Sequence, residues 1–186
     1  KKVNLPSTLT YIGDSAFSDC SSLRTIEISN SVTIIEDNAF SWCEALKSID
    51  FPSNVTKIGN NVFKGCHALK SINVSDGNKH YTSIDGVLFN KELTTIIKLP
   101  QGKRLETYSI PCSVRTIGEK AFSNCSAMQS IIIPNSVTSI GNSAFYGCSA
   151  LQSIGIPSNV TTIGNNVFEG CHALKSINVS DDNKHY

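Results

Sequence analysis

Apolar positions recur every 23 residues along most of the chain. Five such positions keep nearly one residue type through six turns of the sequence. The five columns are Ile12, Ile35, Ile58, Ile117, Ile140, Ile163; Phe17, Phe40, Phe63, Phe122, Phe145, Phe168; Cys20, Cys43, Cys66, Cys125, Cys148, Cys171; Leu23, Leu46, Leu69, Met128, Leu151, Leu174; and Ile26, Ile49, Ile72, Ile131, Ile154, Ile177. This pattern is typical of a solenoid, in which a single turn cannot bury its own apolar side and each turn is closed by its neighbours.

A second repeat of 105 residues is superimposed on the first. Residues 52–81 and 157–186 differ only at Lys57/Thr162, Lys64/Glu169 and Gly77/Asp182. The offset equals three 23-residue turns and one segment of 36 residues. We therefore expect one domain over residues 1–186, with turns at about 6–28, 29–51, 52–74, 111–133, 134–156 and 157–179, an enlarged unit at 75–110, and the start of a second one at 180–186. We interpret the chain as an internal piece of a longer array.

Each turn contains one segment with the alternation of a half-buried strand. In the stretch from Leu23 to Ile28, Ile26 and Ile28 point inward and the residues between them face solvent. A polar or Pro corner and a short Val-x-x-Ile segment follow, as in residues 29–35. Stacked turns then place equivalent strands about 4.8 Å apart in a parallel sheet. A set of antiparallel sandwiches is the alternative, but it does not explain why each column keeps one residue type.

The remaining parts of a turn carry bend and hairpin signals. A glycine column marks an expected bend, where positive φ would be easy: Gly13, Gly59, Gly118, Gly141 and Gly164. Glu36 occupies the column once, so glycine is not strictly required there. Residues 142–145 then resemble one helical or 3₁₀ turn. In the enlarged unit, Asp85-Gly86 between two apolar runs predicts a β-hairpin.

The pattern Ile-Gly-x-x-Ala-Phe-x-x-Cys-x-x-Leu-x-x-Ile-x-Ile-Pro, seen at residues 140–157, resembles the BspA-like leucine-rich repeats. The resemblance covers essentially the whole chain, and the enlarged unit is also similar to longer units of those arrays. It implies a β-rich solenoid of the α/β leucine-rich repeat class, a right-handed stack with one parallel sheet and an inserted hairpin unit. It also implies an extracellular or cell-surface protein, often an adhesin. The family shares no catalytic residues that could be carried over.

Composition and cysteine spacing exclude several other functions. The net charge of +1 gives no reason to expect nucleic-acid binding, and no apolar run is long enough to enter a membrane.

Cysteines 23 residues apart lack the close pairs of a zinc site, so we interpret them as inward-facing thiols; stacked disulfides are the alternative. Cys112 lies off the column and is the expected exposed thiol. His67 beside Cys66 is read as a surface histidine, and Asp76-Gly77-Asn78 as a turn instead of a calcium loop. No metal or cofactor is expected.

The candidate site is the outward face of the sheet. Its residues are Arg24, Thr25, Glu27, Lys47, Ser48, Asp50, Lys70, Ser71, Asn73, Gln129, Ser130, Gln152, Ser153, Lys175, Ser176 and Asn178. This polar, mixed-charge surface predicts weak, multivalent binding by a monomer to a protein or glycan on host cells, matrix or other microbes. A passive stalk is the alternative function, and an enzyme is disfavoured because repeated polar residues do not converge on one pocket. Trp42 is the only Trp and is expected at the edge of a turn, where it is either a contact point for a partner or a core residue.

Overall fold

The computed structural model describes residues 2–185 and divides into two compact units. Unit 1 comprises Lys1–Lys91 and Pro100–Lys103, and unit 2 comprises Glu92–Leu99 and Arg104–Tyr186. Both units are built from the same element, a turn of about 23 residues with short parallel strands and almost no helix, so the fold is the predicted β-solenoid. The organisation as a single domain stays a prediction.

Unit 1 contains parallel strand pairs on two sides of each turn and one hairpin. Its elements are β1 Lys2–Asn4, β2 Tyr11–Ile12, β3 Thr25–Glu27, β4 Ile34–Ile35, β5 Ser48–Phe51, β6 Lys57–Ile58, β7 Ser71–Val74, β8 Tyr81–Ile84, β9 Val87–Asn90, and a 3₁₀ turn at Gln101–Lys103. On the side of the alternating segments β1 pairs with β3 and β5 with β7, and on the other side β2, β4 and β6 form a three-stranded ladder. Strands β8 and β9 form the hairpin.

Unit 2 repeats this arrangement. Its strands are β10 Thr95–Lys98, β11 Thr107–Ser109, β12 Thr116–Ile117, β13 Ser130–Ile132, β14 Ser139–Ile140, β15 Ser153–Ile156, β16 Thr162–Ile163 and β17 Ser176–Val179. Strands β11 and β13 pair in parallel, as do β15 and β17, while β10, β12, β14 and β16 form the second ladder.

Equivalent residues lie directly over one another, because the strand register equals the sequence repeat. Ile49 lies beside Ile72 in unit 1, and Ile154 lies beside Ile177 in unit 2. The Phe columns follow the same rule. Neighbouring rings stack with centroids 5.4 Å apart for Phe17–Phe40, 6.3 Å for Phe40–Phe63, 5.2 Å for Phe122–Phe145 and 5.8 Å for Phe145–Phe168. The predicted stacking of like side chains is confirmed within each unit.

The expectation of one parallel sheet is wrong in one respect, because each turn carries two strand segments. The Val-x-x-Ile segment also pairs from turn to turn, with Thr33 N donating to Thr10 O at 2.9 Å and Gly59 N donating to Ile35 O at 2.8 Å. These strands are only two residues long, too short for sequence alternation to reveal them. They nevertheless close the second side of the turn, since Val32 and Ile35 are fully buried.

The positive φ values of the bend do not lie at the glycine column. No Gly of that column adopts positive φ. The left-handed residues lie two positions after it, as at Ser15 (φ 56°) and Ser143 (φ 52°), and six positions after it, as at Gly147 (φ 70°). The stretch predicted to be a helical or 3₁₀ turn is therefore a run of reverse turns, since left-handed residues interrupt a helix. Its backbone bonds include Ala144 N to Gly141 O at 3.3 Å.

Glycine is favoured at four turns of the bend because successive turns approach closely there. A Cβ at Gly141 would lie 2.7 Å from Glu119 N, and one at Gly164 would lie 2.6 Å from Asn142 N. Both distances are shorter than any ordinary contact with backbone. A steric limit between neighbouring turns therefore explains Gly59, Gly118, Gly141 and Gly164. It does not apply at Gly13, where a Cβ would meet only the Tyr11 ring at 3.4 Å, nor where Glu36 occupies the column.

Columns are less buried at the first and last rungs. Cys20 was expected inside but is exposed, and Ile177 is 46% exposed. Each of them has an equivalent column residue on one side only, whereas Cys43 and Ile154 have one on each side and are buried. Burial in a solenoid depends on both neighbours, so identical columns do not give identical burial.

The hairpin of the enlarged unit is confirmed. Strands β8 and β9 pair antiparallel around Asp85 (φ 49°) and Gly86 (φ 73°), the two positive φ values that a type I′ turn requires. The hairpin tip lies against β7, where Ile72 N donates to Gly86 O at 2.9 Å. It therefore covers an edge that would otherwise expose unpaired backbone groups. The second enlarged unit predicted at 180–186 ends on Tyr186, which lies outside the described residues.

Candidate interaction face

The candidate face is built by the strands of the first ladder, whose side chains alternate between core and solvent. In unit 1, β5 and β7 place Ser48 opposite Ser71 and Asp50 opposite Asn73. Backbone bonds extend the series to the residues before the strands, with Lys47 N donating to Arg24 O at 3.4 Å and Lys70 N donating to Lys47 O at 2.8 Å. Each turn thus adds one residue to each outward column.

All sixteen predicted site residues reach the surface of their own unit. Ser48, Ser71 and Ser130 are half-buried, and the others are exposed. Nine of them lie together on unit 1: Arg24, Thr25, Glu27, Lys47, Ser48, Asp50, Lys70, Ser71 and Asn73. The other seven lie on unit 2: Gln129, Ser130, Gln152, Ser153, Lys175, Ser176 and Asn178. Whether they bind a partner stays a prediction.

The face of unit 1 carries three parallel rows of different chemistry. The first row is cationic, with Arg24, Lys47 and Lys70; the second bears hydroxyls, with Thr25, Ser48 and Ser71; the third is acidic or amide, with Glu27, Asp50 and Asn73. The third row has partners within the chain. Lys2 Nζ lies 3.2 Å from Glu27, and Asn73 Nδ2 donates to Asp50 Oδ1 at 2.7 Å.

The face of unit 2 differs in both charge and polarity. The first row carries Gln129 and Gln152 before Lys175, so it has one cation where unit 1 has three. In the third row Ile132 is 58% exposed, the largest exposure among the large apolar side chains described. The neighbouring Gly155 offers no side chain, and a Cβ there would meet nothing within 4 Å. The two faces are therefore chemically distinct despite their common fold.

Trp42 lies at the edge of a turn, as the sequence suggested, and is 40% exposed. Its φ of 59° is left-handed, a region that bulky residues rarely adopt. The indole covers Gly65, where a Cβ would come within 2.4 Å of Cε3, and it meets the His67 ring edge-on with centroids 6.2 Å apart. Trp42 is therefore a surface residue of unit 1 and not a core residue.

A lysine contacts Trp42, and the second copy of the long repeat lacks both the lysine and the tryptophan. Lys64 Nζ lies 5.9 Å from the centroid of the Trp42 ring, a cation–π contact. The positions 105 residues later hold Glu169 and Gly147. Lys64/Glu169 is one of only three differences between the two duplicated segments, so the cation is present in the copy that carries the aromatic ring.

Sequence reasoning missed the role of Asn78. Its side chain is 1% exposed and donates through Nδ2 to Pro52 O at 3.0 Å and Val55 O at 2.9 Å. Its Oδ1 accepts from His80 N and Tyr81 N, both at 2.8 Å. This side chain joins the enlarged unit to the preceding turn. Asn183 makes the equivalent bonds to Pro157 O and Val160 O, and its occurrence at both repeat positions was the available signal.

The column cysteines are free thiols, buried except for Cys20. The sulfurs of Cys43, Cys66, Cys148 and Cys171 donate to a Phe carbonyl of the preceding turn, as in Cys66 Sγ to Phe40 O at 3.1 Å and Cys148 Sγ to Phe122 O at 3.1 Å. Cys125 Sγ donates instead to Leu99 O at 3.9 Å. Burial raises the pKa of Cys43 to about 11 and that of Cys125 to about 11. These thiols therefore stay protonated at neutral pH and are poor nucleophiles or metal ligands.

The cysteine outside the column and the histidines beside column cysteines lie at the surface. Cys112 is exposed, as are His67 and His172. Over residues 2–185, no group of three or more His, Cys, Asp or Glu side chains is arranged to hold a metal ion. The same residues include no helix with the length and hydropathy needed to cross a bilayer.

The turn pattern, the stacked Phe and Leu columns and the parallel ladders define a leucine-rich repeat protein. The family model described as the BspA type leucine rich repeat region matches six copies over residues 1–103 and 98–186. The chain therefore belongs to the BspA-type leucine-rich repeat family. No curated protein matches its sequence.

Solved structures of bacterial leucine-rich repeat proteins are similar to this chain. The pneumococcal vaccine antigen PcpA matches with a TM-score of 0.82 and 29% identity, covering 98% of this chain and 51% of PcpA. A protein from Eubacterium ventriosum matches with a TM-score of 0.71, 30% identity, and coverage of 96% and 59%. A leucine rich cell surface protein from Faecalibacterium prausnitzii matches with a TM-score of 0.66 and 31% identity, covering 96% of this chain and 59% of that protein. The chain thus spans 51% to 59% of the length of these structures.

Proposed function

We propose that the protein is a cell-surface or secreted interaction module of the adhesin type, which binds a protein or glycan on host cells, matrix or other microbes. Leucine-rich repeat proteins are in general interaction modules and their fold is typically non-catalytic. The observation that carries the proposal is the face of unit 1, where nine polar residues of adjacent turns lie together at the surface. The family and the cell-surface relative support an extracellular location.

The composition of the face favours weak contacts repeated along an array. Tight binding sites concentrate on Trp, Tyr and Arg, and the face of unit 1 contains one of these, Arg24. A low affinity for each site becomes useful when many copies engage a surface together. The module is therefore proposed to act multivalently.

The experiment compares two triple variants of the chain for binding to immobilised fibronectin, fibrinogen and whole cells. The face variant combines Glu27→Ser, Asp50→Ser and Asn73→Ser. The control combines Asp14→Ser, Glu44→Ser and Asn60→Ser, which removes the same charges at exposed positions of unit 1 away from the face. Loss of saturable binding in the face variant alone supports the proposal.

The second candidate function is a passive stalk that presents another part of a longer surface protein. The near-identity of residues 52–81 and 157–186 indicates recent expansion of an array, which a stalk tolerates as well as an adhesin does. A stalk gives no saturable binding by the unaltered chain to any of these surfaces. Equal binding by the face variant and its control would also contradict the proposed site.

A further inference from the structure

The cationic row of unit 1 has features that the rest of the face does not share. Arg24, Lys47 and Lys70 follow one another on successive turns, joined by backbone bonds of 3.4 Å and 2.8 Å. Equivalent atoms of adjacent rungs are about 4.8 Å apart. All three residues are exposed, and within residues 2–185 none of them has a carboxylate partner. Like charges side by side on neighbouring turns repel each other, as they do on neighbouring strands, so the stability of the fold does not explain this row.

The adjoining rows restrict what such a row can bind. Next to the cations lie the hydroxyls of Thr25, Ser48 and Ser71, and beyond these lie the carboxylates of Glu27 and Asp50. A ligand that covers the face therefore needs anionic groups along one edge, hydroxyl groups in its middle, and hydrogen-bond donors along the other edge. It must also extend along the direction in which the turns stack.

We infer that this row is a binding site for a linear acidic polysaccharide, whose carboxylate or sulfate groups contact Arg24, Lys47 and Lys70 while its hydroxyls bond to the second and third rows. A nucleic acid fits less well. In a duplex, the phosphates of the second strand would face the carboxylates of Glu27 and Asp50. For a single strand, no aromatic side chain of the face is available to stack on a base. The inference rests on the proposed function, since it names the ligand for part of the same face.

Unit 2 provides an internal comparison. The equivalent row there reads Gln129, Gln152 and Lys175, so the same backbone carries one cation instead of three. Two substitutions, Gln129→Lys and Gln152→Lys, recreate the full row on the second unit. Their side chains are exposed, so the fold has no reason to change.

The test is binding of the full chain to immobilised heparin, hyaluronan, dextran and single-stranded DNA, measured with increasing salt. The loss variant combines Arg24→Gln, Lys47→Gln and Lys70→Gln. Its matched control combines Lys79→Gln, Arg115→Gln and Lys184→Gln, three exposed cations that do not belong to the row. Circular dichroism and thermal unfolding establish that each variant is folded.

We expect heparin, hyaluronan or both to bind and dextran not to bind. If heparin binds and hyaluronan does not, sulfate is the group recognised. If hyaluronan binds, carboxylate is recognised. The loss variant binds at least about tenfold more weakly, the effect of removing three exposed charge contacts of ordinary strength. The control variant stays within about twofold of the unaltered chain, and the double Lys variant gains a second site, doubling the amount bound at saturation.

Equal weakening in the loss variant and its control would overturn the inference, because net charge alone would then explain binding. Dextran or DNA binding as tightly as the acidic polysaccharides would overturn it as well. If no polysaccharide binds while the unaltered chain still binds cells or matrix through Glu27, Asp50 and Asn73, the inference fails and the proposed function stands. If neither binds, both fail.

Discussion

The rings of Phe122 and Phe145, which are 23 residues apart in sequence, lie 5.2 Å apart and within 13° of parallel in unit 2. Both side chains are fully buried. Each ring thus belongs to a column in which the neighbouring side chains are of its own type. In such a column the contribution of a residue to stability depends on how many neighbouring turns it contacts.

We predict that Phe145→Ala destabilises the chain by about 3–5 kcal/mol, the cost of removing a fully packed ring. Phe168→Ala should cost clearly less, because Phe168 is only half-buried at the last rung described. Urea unfolding followed by circular dichroism measures both free energies of unfolding. Equal costs at the two positions would contradict a nearest-neighbour core.

A second prediction contrasts two glycines of unit 2. Gly141→Ala should destabilise by roughly 1–3 kcal/mol, because its Cβ would lie 2.7 Å from Glu119 N and the turns would have to move apart. Gly155→Ala should be neutral or stabilising by up to about 1 kcal/mol, because nothing lies within 4 Å and Ala has less entropy to lose in a strand. Thermal unfolding of the two variants checks this order. A tolerated Gly141→Ala would show that the close approach is not a constraint.

The third prediction concerns the Asn78 side chain. Asn78→Ala should cost about 1–3 kcal/mol, because it leaves the carbonyls of Pro52 and Val55 without their buried donor. Asn78→Asp should also destabilise, since an ionised carboxylate cannot donate to these carbonyls. Hydrogen exchange at the amides of His80 and Tyr81 should accelerate in Asn78→Ala more than in Asn78→Asp, because the Asp carboxylate keeps an acceptor for both amides.

The control for this prediction is Asn54→Ala. Asn54 is exposed and makes one bond, from Nδ2 to Asn30 O at 2.7 Å. Its loss should cost less than about 1 kcal/mol, because water replaces a bond at the surface. If both variants lose the same stability, Asn78 has no special part in joining the enlarged unit to the preceding turn.

The fourth prediction is selective thiol reactivity. In the folded chain near pH 8, iodoacetamide should modify Cys20 and Cys112, which are exposed, and spare the five buried cysteines. Mass spectrometry of tryptic peptides measures this, and modification in urea provides the fully reactive control. Rapid labelling of Cys43 or Cys125 without denaturant would contradict the burial of the column.

The same thiols predict a fall in stability at alkaline pH. Burial raises the pKa of Cys43 and Cys125 from 9.0 to about 11, so the folded chain keeps protons that the unfolded chain releases. The contribution of the two protonated thiols to the free energy of unfolding is complete below pH 9 and decreases as pH rises towards about 11. The unaltered chain should therefore lose more stability over this range than a Cys43→Ala, Cys125→Ala variant, measured relative to each protein at pH 8.

The sequence predicted those features that each turn determines with its neighbour. The Phe, Leu and Ile columns and the outward rows follow from a 23-residue period and simple alternation, and both are present in the structure. The hairpin was predictable because Asp85-Gly86 has few alternatives to a type I′ turn. The face residues were therefore assigned from sequence, whereas their ligand depends on chemistry that the repeat does not encode.

Other features depend on context that a repeat pattern does not contain. The left-handed residue of the bend is Ser15, Lys120 or Asn166 in different turns, so no residue type marks it. The exposure of Cys20 and Ile177 depends on missing neighbours and not on their own column. The second ladder was missed because two-residue strands are shorter than any recognisable alternation.

The proposed binding face requires that equivalent residues stack from turn to turn, and the ring protons of Phe40 and Phe63 test this stacking most directly. We predict nuclear Overhauser contacts between them in a sample with selectively labelled phenylalanine, since their centroids are 6.3 Å apart and 8° from parallel. The assignment is checked by loss of these signals in Phe63→Leu. Absence of any contact in the unaltered chain, with the rings beyond the roughly 4.5–7 Å range of aromatic pairs, would contradict the stacked solenoid and the face built on it.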